Sequence, residues 1–139
     1  MIERIEGPDG LLAIIIYHQF QENGIHFFTP DDFSQQLAYM NRPKGYVIDP
    51  HVHNEVKREV RLTQEVLFIR KGKIRVDFYD NDKNYLENRV LTDGDVILLT
   101  AGGHGFEMIE ETEMIEVKQG PYVGDSDKTR FKPLSKDNL

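Results

Sequence analysis

Apolar and polar positions along the chain alternate with a period of two over several short stretches, and no window keeps a 3.6-residue repeat for three turns. The clearest alternation runs from Lys73 to Tyr79, with Ile74, Val76 and Phe78 on one face and Arg75, Asp77 and Tyr79 on the other. Gln64 to Arg70 reads as the strand before it, Lys71-Gly72 as a turn, and Asp80 to Asn84 as another turn. Gln64 to Leu91 therefore predicts successive hairpins. Leu91-Thr92-Asp93-Gly94 turns into a buried strand from Val96 to Thr100, and His104 to Ile109 and Glu113 to Lys118 follow the glycine pair Gly102-Gly103. Upstream, Leu11 to Tyr17, Ile25 to Thr29 and Gly45 to Val52 have strand character. Asp31-Asp32 either caps a helical turn over Phe33 to Leu37 or gives way to a strand from Gln36 to Asn41. The stretch after Pro133 reads as a frayed tail. Strands this short and this closely spaced predict an antiparallel all-β sandwich or barrel.

Composition narrows the class further. A chain of 139 residues fits one domain, and 39% apolar residues supply a core without staples. Its 17 basic and 24 acidic residues leave a net charge of −7, which with the absence of any basic block argues against nucleic acid as a partner. The absence of cysteine removes disulfides, thiolate zinc sites, iron–sulfur clusters and cysteine nucleophiles together. The longest apolar run, Leu11 to Tyr17, is too short to span a bilayer, and two acids in Met1 to Glu6 speak against a signal peptide. The expectation is a cytoplasmic protein that does not enter a membrane. That same run is apolar on both faces, so as a strand it needs cover from both sides. A homodimer using the N-terminal strands is the expected solution.

Three of the five histidines are placed for chemistry. His51-Val52-His53 sets two imidazoles on one face of an extended segment, with Cα atoms roughly 6.5–7 Å apart. Both rings can then lean onto one ion, and imidazole with a carboxylate suits Zn, Fe, Mn or Ni. On its own the pair reads equally as two polar residues at a strand end. His18 and His26 have no partner at ligand spacing and read as structural.

Around that pair, Gly45 stands six residues before His51, Glu65 stands seven before Gly72, and Gly94 precedes Gly102-Gly103-His104. From about Asn41 to Lys118 the chain resembles the cupin superfamily, whose first motif is G-x5-H-x-H-x3,4-E-x6-G and whose second is G-x5-P-x-G-x2-H-x3-N. The resemblance implies a double-stranded β-helix, a jelly-roll barrel with little helix, in one domain over 1–139. The barrel core would occupy about 36–120, with N-terminal strands at 11–29 and an extension from 121 onward. It also implies one divalent metal held by His51, His53, Glu65 and His104. Eleven residues separate His53 from Glu65, where the family has three or four, so Glu55 and Glu59 in the gap are rival carboxylates. Glu65 keeps the spacing to Gly72 and shares a strand face with Leu67 and Ile69. The second motif lacks its proline, is one residue shorter, and has Met108 in place of the final Asn.

The stretch Ile115-Glu116-Val117-Lys118-Gln119-Gly120 through Arg130 resembles the closing segment of mannose-6-phosphate isomerase-type cupins, in the spacing of Gly120, Tyr122, Gly124, Asp125, Asp127 and Arg130. This implies an anionic sugar near Arg130, since guanidinium clamps phosphate bidentately. The alternative is an Arg130 paired with Asp125 or Asp127. Arg61, Tyr46 and Gln64 are further candidates for the ligand site. The leading expectation is isomerase- or epimerase-like proton transfer on a sugar phosphate or sugar nucleotide, in carbohydrate or cell-surface polysaccharide metabolism. A Fe(II)-dependent dioxygenase and a non-catalytic small-molecule-binding barrel are the alternatives. No residue declares itself as the general base.

Overall fold

The computed structural model describes residues 1–133 and is built of antiparallel strands with a single short 3-10 turn at Gly124–Asp127. In chain order the strands are β1 (Ile2–Gly7), β2 (Gly10–Ile16), β3 (Gly24–Phe27), β4 (Ala38–Asn41), β5 (Glu65–Lys71), β6 (Lys73–Tyr79), β7 (Tyr85–Thr92), β8 (Val96–Leu99), β9 (Gly103–Met108) and β10 (Glu113–Lys118). A five-stranded sheet runs β1-β2-β8-β5-β10, a three-stranded sheet runs β7-β6-β9, and β3 and β4 pair as a ribbon. The fold is all-β, as the period-two patterning predicts. The stretch after Pro133, expected as a frayed tail, lies outside the described residues.

The two larger sheets bury one face each against the other. Leu12, Ala13, Ile15, Leu67, Ile69, Ile97 and Leu99 of the larger sheet meet Ile74, Val76, Phe78 and Leu91 of the smaller one in a single cluster. Alternation makes this possible: the residues between them face away. The reverse face of the larger sheet is also covered. Ile14, Ile16 and Leu98 pack with Leu37, Phe20, Phe28 and Phe33, which lie in or beside the β3–β4 ribbon. The two-sided apolar run is thus β2, flanked by β1 and β8, with both faces covered by its own chain. Neither face of β2 therefore needs a second copy to cover it.

Two other expectations are corrected. β5 and β6 are not a hairpin: Lys71-Gly72 carries the chain from one sheet to the other. Gly72 has φ of +114° there, its N–H donates to Asp93 Oδ1 at 2.6 Å, and its carbonyl accepts from Thr92 Oγ1 at 2.9 Å. A turn between sheets and a turn within one have the same glycine signature, so the local sequence does not separate them. Nor is there a strand over 45–52. Residues 42–62 contain no regular element beyond a turn at Lys44–Gly45, and every one of them is exposed. A strand needs a neighbour for its backbone groups, and among the described residues this segment pairs with none.

Candidate functional site

Glu65 opens β5 and stands opposite Leu99 of β8 and Lys118 of β10. Directly opposed residues in an antiparallel sheet share a face, so Glu65, Lys118 and Glu116 lie on the side of buried Leu67 and Leu99. His104 on β9 stands opposite buried Phe78, which puts its ring on the inner face of the smaller sheet. Glu65 and His104 therefore reach toward each other from the two sheets, and they meet with His104 Nε2 2.6 Å from Glu65 Oε1. The turn before β9 is shaped for this approach. Gly102 has φ of +75°, and a Cβ there would sit 2.6 Å from the Tyr79 carbonyl.

Hydrogen bonding to His104 holds the Glu65 carboxyl far below its ordinary range, at about 2, against the opposing effect of burial. Glu65 is thus an anion at neutral pH and only accepts hydrogen bonds. The Nε2 atom of His104 must carry the hydrogen in their bond, which leaves Nδ1 as the proton-accepting nitrogen of the ring. On the other side of Glu65, Lys118 Nζ lies 3.7 Å from Oε2 and 3.2 Å from Glu116 Oε1. Sharing a hydrogen bond with Glu65 pushes the Glu116 carboxyl up, and Glu116 in turn raises the Lys118 ammonium.

Glu65, His104 and Lys118 line a cavity of about 790 Å³ that borders β9 from Gly103 to Glu107. Its far wall is the C-terminal stretch, where Phe131 packs edge-on against Tyr79 at 4.9 Å. Arg75 is committed to structure. It grips Asp77 with Nε and Nη2 at 2.8 and 3.0 Å and reaches Glu107 with Nη1 at 2.7 Å. Arg61, Lys118, Lys128, Arg130 and Lys132 complete the cationic lining. Among the described residues, six Lys and Arg face four Asp and Glu in this cavity, a local positive excess in a chain of net charge −7.

The predicted residues distribute unevenly. Glu65, His104, Arg61 and Arg130 line the cavity. Arg130 also lies 3.5 Å from Asp125, the pairing given above as its alternative role, and Arg61 pairs with Glu59 at 3.0 Å. Gln64 does not line it. It is buried, its side chain accepts from Ser34 and from the Gln35 backbone, and so it ties the 34–35 loop to the start of β5. Tyr46 is on the exposed 42–62 segment beneath the Arg42 guanidinium, and Glu55 and Glu59 are exposed on that segment too. His51 and His53 lie there as well, their rings 5.2 Å apart, and His51 Nδ1 bonds the Asp49 carbonyl. The four residues expected to hold a metal thus form two separate pairs. Among the described residues no three His, Asp or Glu side chains are grouped to hold an ion. With its Nε2 donating to Glu65, His104 has only its Nδ1 lone pair left for a cation, and His51 and His53 lie on a different segment.

Lys118 and Glu116 were not singled out from sequence, although their two-residue spacing on a strand beside Glu65 was a signal. His18 and His26, expected to be structural, bond Asp95 at 3.0 Å and the Asn23 carbonyl at 2.7 Å. Among the described residues no helix is long and apolar enough to cross a membrane. No family model matches the chain, and neither the characterised proteins nor the solved structures contain a match.

Proposed function

We propose that the protein binds a small anionic, hydroxylated ligand of the sugar phosphate or sugar nucleotide kind and moves a proton on it, with His104 as the acid–base group. The observation that carries this reading is the 2.6 Å Glu65–His104 pair opening onto a cationically lined cavity. The Glu65 anion fixes the ring orientation and stabilises the imidazolium formed when Nδ1 takes a proton, the role an orienting carboxylate plays beside a catalytic histidine. Lys118 beside the pair supplies positive charge for an oxyanion developing on a carbonyl. The other cations of the lining suit a phosphate. The likeness of the 115–130 stretch to sugar-phosphate isomerase cupins, and of 41–118 to cupins in general, points the same way. The proton chemistry proposed here uses Glu65 and His104 alone. An iron oxygenase would need gathered metal donors, and the split donor set gives it no support.

The test is a panel of aldose and ketose phosphates and nucleotide sugars, assayed for binding and isomerisation with the parent, His104→Gln and Glu65→Gln proteins. The reading expects turnover of at least one compound and a loss of about 10²–10⁴-fold in His104→Gln with binding retained. Tight binding without turnover makes the protein a binding barrel. Turnover unaffected by His104→Gln overturns the assignment.

A further inference from the structure

The chain crosses from one sheet to the other after its last strand, and it does so over the cavity. β10 is an edge of the larger sheet and ends at Lys118. Gln119 just beyond it is fixed twice, its N–H donating to the Gln64 carbonyl and its side-chain oxygen accepting from Gln35 Nε2, both at 2.9 Å. From that base the chain passes Thr63, whose hydroxyl donates to Asp127, and reaches the smaller sheet where Phe131 packs on Tyr79 of β6. All of 127–133 lines the cavity that holds Glu65 and His104.

Phe131 is the far fastening. Its ring meets Tyr79 edge-on at 4.9 Å and 86°, an arrangement that aromatic pairs favour. Gly103 makes the seat: a Cβ there would lie 3.2 Å from Phe131 Cζ and 3.3 Å from Tyr79 Cβ. Lys83 Nζ stands 6.0 Å over the same ring. The seat adjoins the acid–base group. Gly103 precedes His104 on β9, and Tyr79 follows Phe78, the residue opposite His104. Alternation then puts Phe131 on the outer face of the smaller sheet while His104 points to the inner one.

Between base and seat the stretch is lightly held. Its 3-10 turn bonds within itself, Lys128 N–H to the Asp125 carbonyl at 3.2 Å and Ser126 Oγ to the Val123 carbonyl at 2.8 Å. From 121 to 133 every residue but Gly124 is exposed. Segments that bury so little open at low cost, and moving lids are drawn from them. Charge adds a bias. Lys128, Arg130 and Lys132 stand against Asp127 alone, and seating the stretch brings these cations to the cavity that Arg61 and Lys118 also line. Like charges oppose that closure, and an anion in the cavity reverses the balance.

We propose that residues 120–133 are a strap that gates the cavity, with Phe131 as its pin, Tyr79 and Gly103 as the catch, and an anion in the cavity as the signal that draws it shut. Ligand enters while the pin is released. Reseating then narrows the path of water to His104. The proposal rests on the reading of this cavity as an anion site and adds the step that controls entry to it.

Two readouts test the strap. Access to His104 is followed by carbethoxylation with diethyl pyrocarbonate and peptide mass spectrometry, with the exposed His51 and His53 as references. Release of the strap is followed by brief trypsin cleavage after Lys128 and Arg130, with Lys57 and Arg58 as reference sites. Phe131→Ala is expected to raise both relative rates about tenfold, and Asp127→Ala, which removes the bond to Thr63, about threefold. Tyr122→Ala, 93% exposed and outside the cavity lining, is expected to match the parent. Inorganic pyrophosphate is expected to slow cleavage after Lys128 and Arg130 in the parent and to leave Lys57 and Arg58 unchanged. Equal rates in the parent and Phe131→Ala overturn the proposal, as does faster cleavage without faster labelling of His104. A rise at His51 and His53 equal to that at His104, or cleavage indifferent to pyrophosphate, overturns it too. None of these readouts measures turnover. A gated cavity without proton exchange removes the acid–base reading alone, and proton exchange in an ungated parent removes the strap alone.

Discussion

His104 on β9 and Glu65 on β5 belong to different sheets, and their side chains bridge those sheets at 2.6 Å. The bond ties the two sheets together and sets the tautomer of the imidazole. Stability and the proposed chemistry therefore rest on the same pair.

Acid should weaken this bridge in a defined window. The Glu65 carboxyl is depressed in the folded protein from 4.5 to about 2, so its stabilisation is complete above pH 4.5 and is lost as pH falls toward about 2. Glu65→Gln should cost about 1–3 kcal/mol at pH 7 and almost nothing at pH 2. Urea unfolding of both proteins at several pH values measures the gap. A gap independent of pH would mean that Glu65 acts by packing and not by charge.

Glu116 should behave in the opposite sense. Its carboxyl is pushed up by the neighbouring Glu65, so any stability it lends is present below its ordinary range and lost as pH rises through the raised value. Glu116→Gln should leave stability unchanged or raise it by about 0.5 kcal/mol at pH 7, since it relieves a like-charge contact. A clear destabilisation in the same unfolding series would place Glu116 in a supporting role with Lys118.

The Arg75–Asp77 pair is a structural lock. Asp77 is 4% exposed and takes two hydrogen bonds from one guanidinium. Asp77→Ala leaves Arg75 with Glu107 alone and should cost about 3–5 kcal/mol. Replacing both residues by apolar ones of similar volume should recover most of that loss in thermal unfolding. A single variant as stable as the parent would show that the pair is solvated.

Much of this was legible because strand alternation depends on local sequence. β6 and β10 fall where the patterning of 73–79 and 113–118 puts them, and Glu65 starts its strand beside Leu67 as expected. The motif spacing also singled out Glu65 and His104 together, though as two of four metal donors and not as each other's partner. The 45–52 stretch has the residues of a strand and forms none, because a strand is completed by a neighbour that local sequence does not specify. Gln64 looked like a cavity residue, yet its side chain is used by the 34–35 loop, a contact across about thirty residues that no periodicity reports.

The separation of His51–His53 from Glu65–His104 predicts weak metal uptake. Loaded with zinc, iron, manganese or nickel and then desalted, the protein should retain well under one ion per chain. Elemental analysis of the desalted samples decides. Stoichiometric metal would contradict the split donor set.

The most direct measurement of the central claim is incorporation of solvent deuterium into a bound sugar phosphate, followed by mass spectrometry at pD near 7. The account predicts exchange at carbon next to the carbonyl with the parent protein. The same exchange should be slowed about 10²–10⁴-fold in His104→Gln and less severely in Glu65→Gln, which keeps the imidazole and loses only its orientation and charge support. Exchange that proceeds equally well without the His104 imidazole, or no exchange with any sugar phosphate that binds, would contradict it.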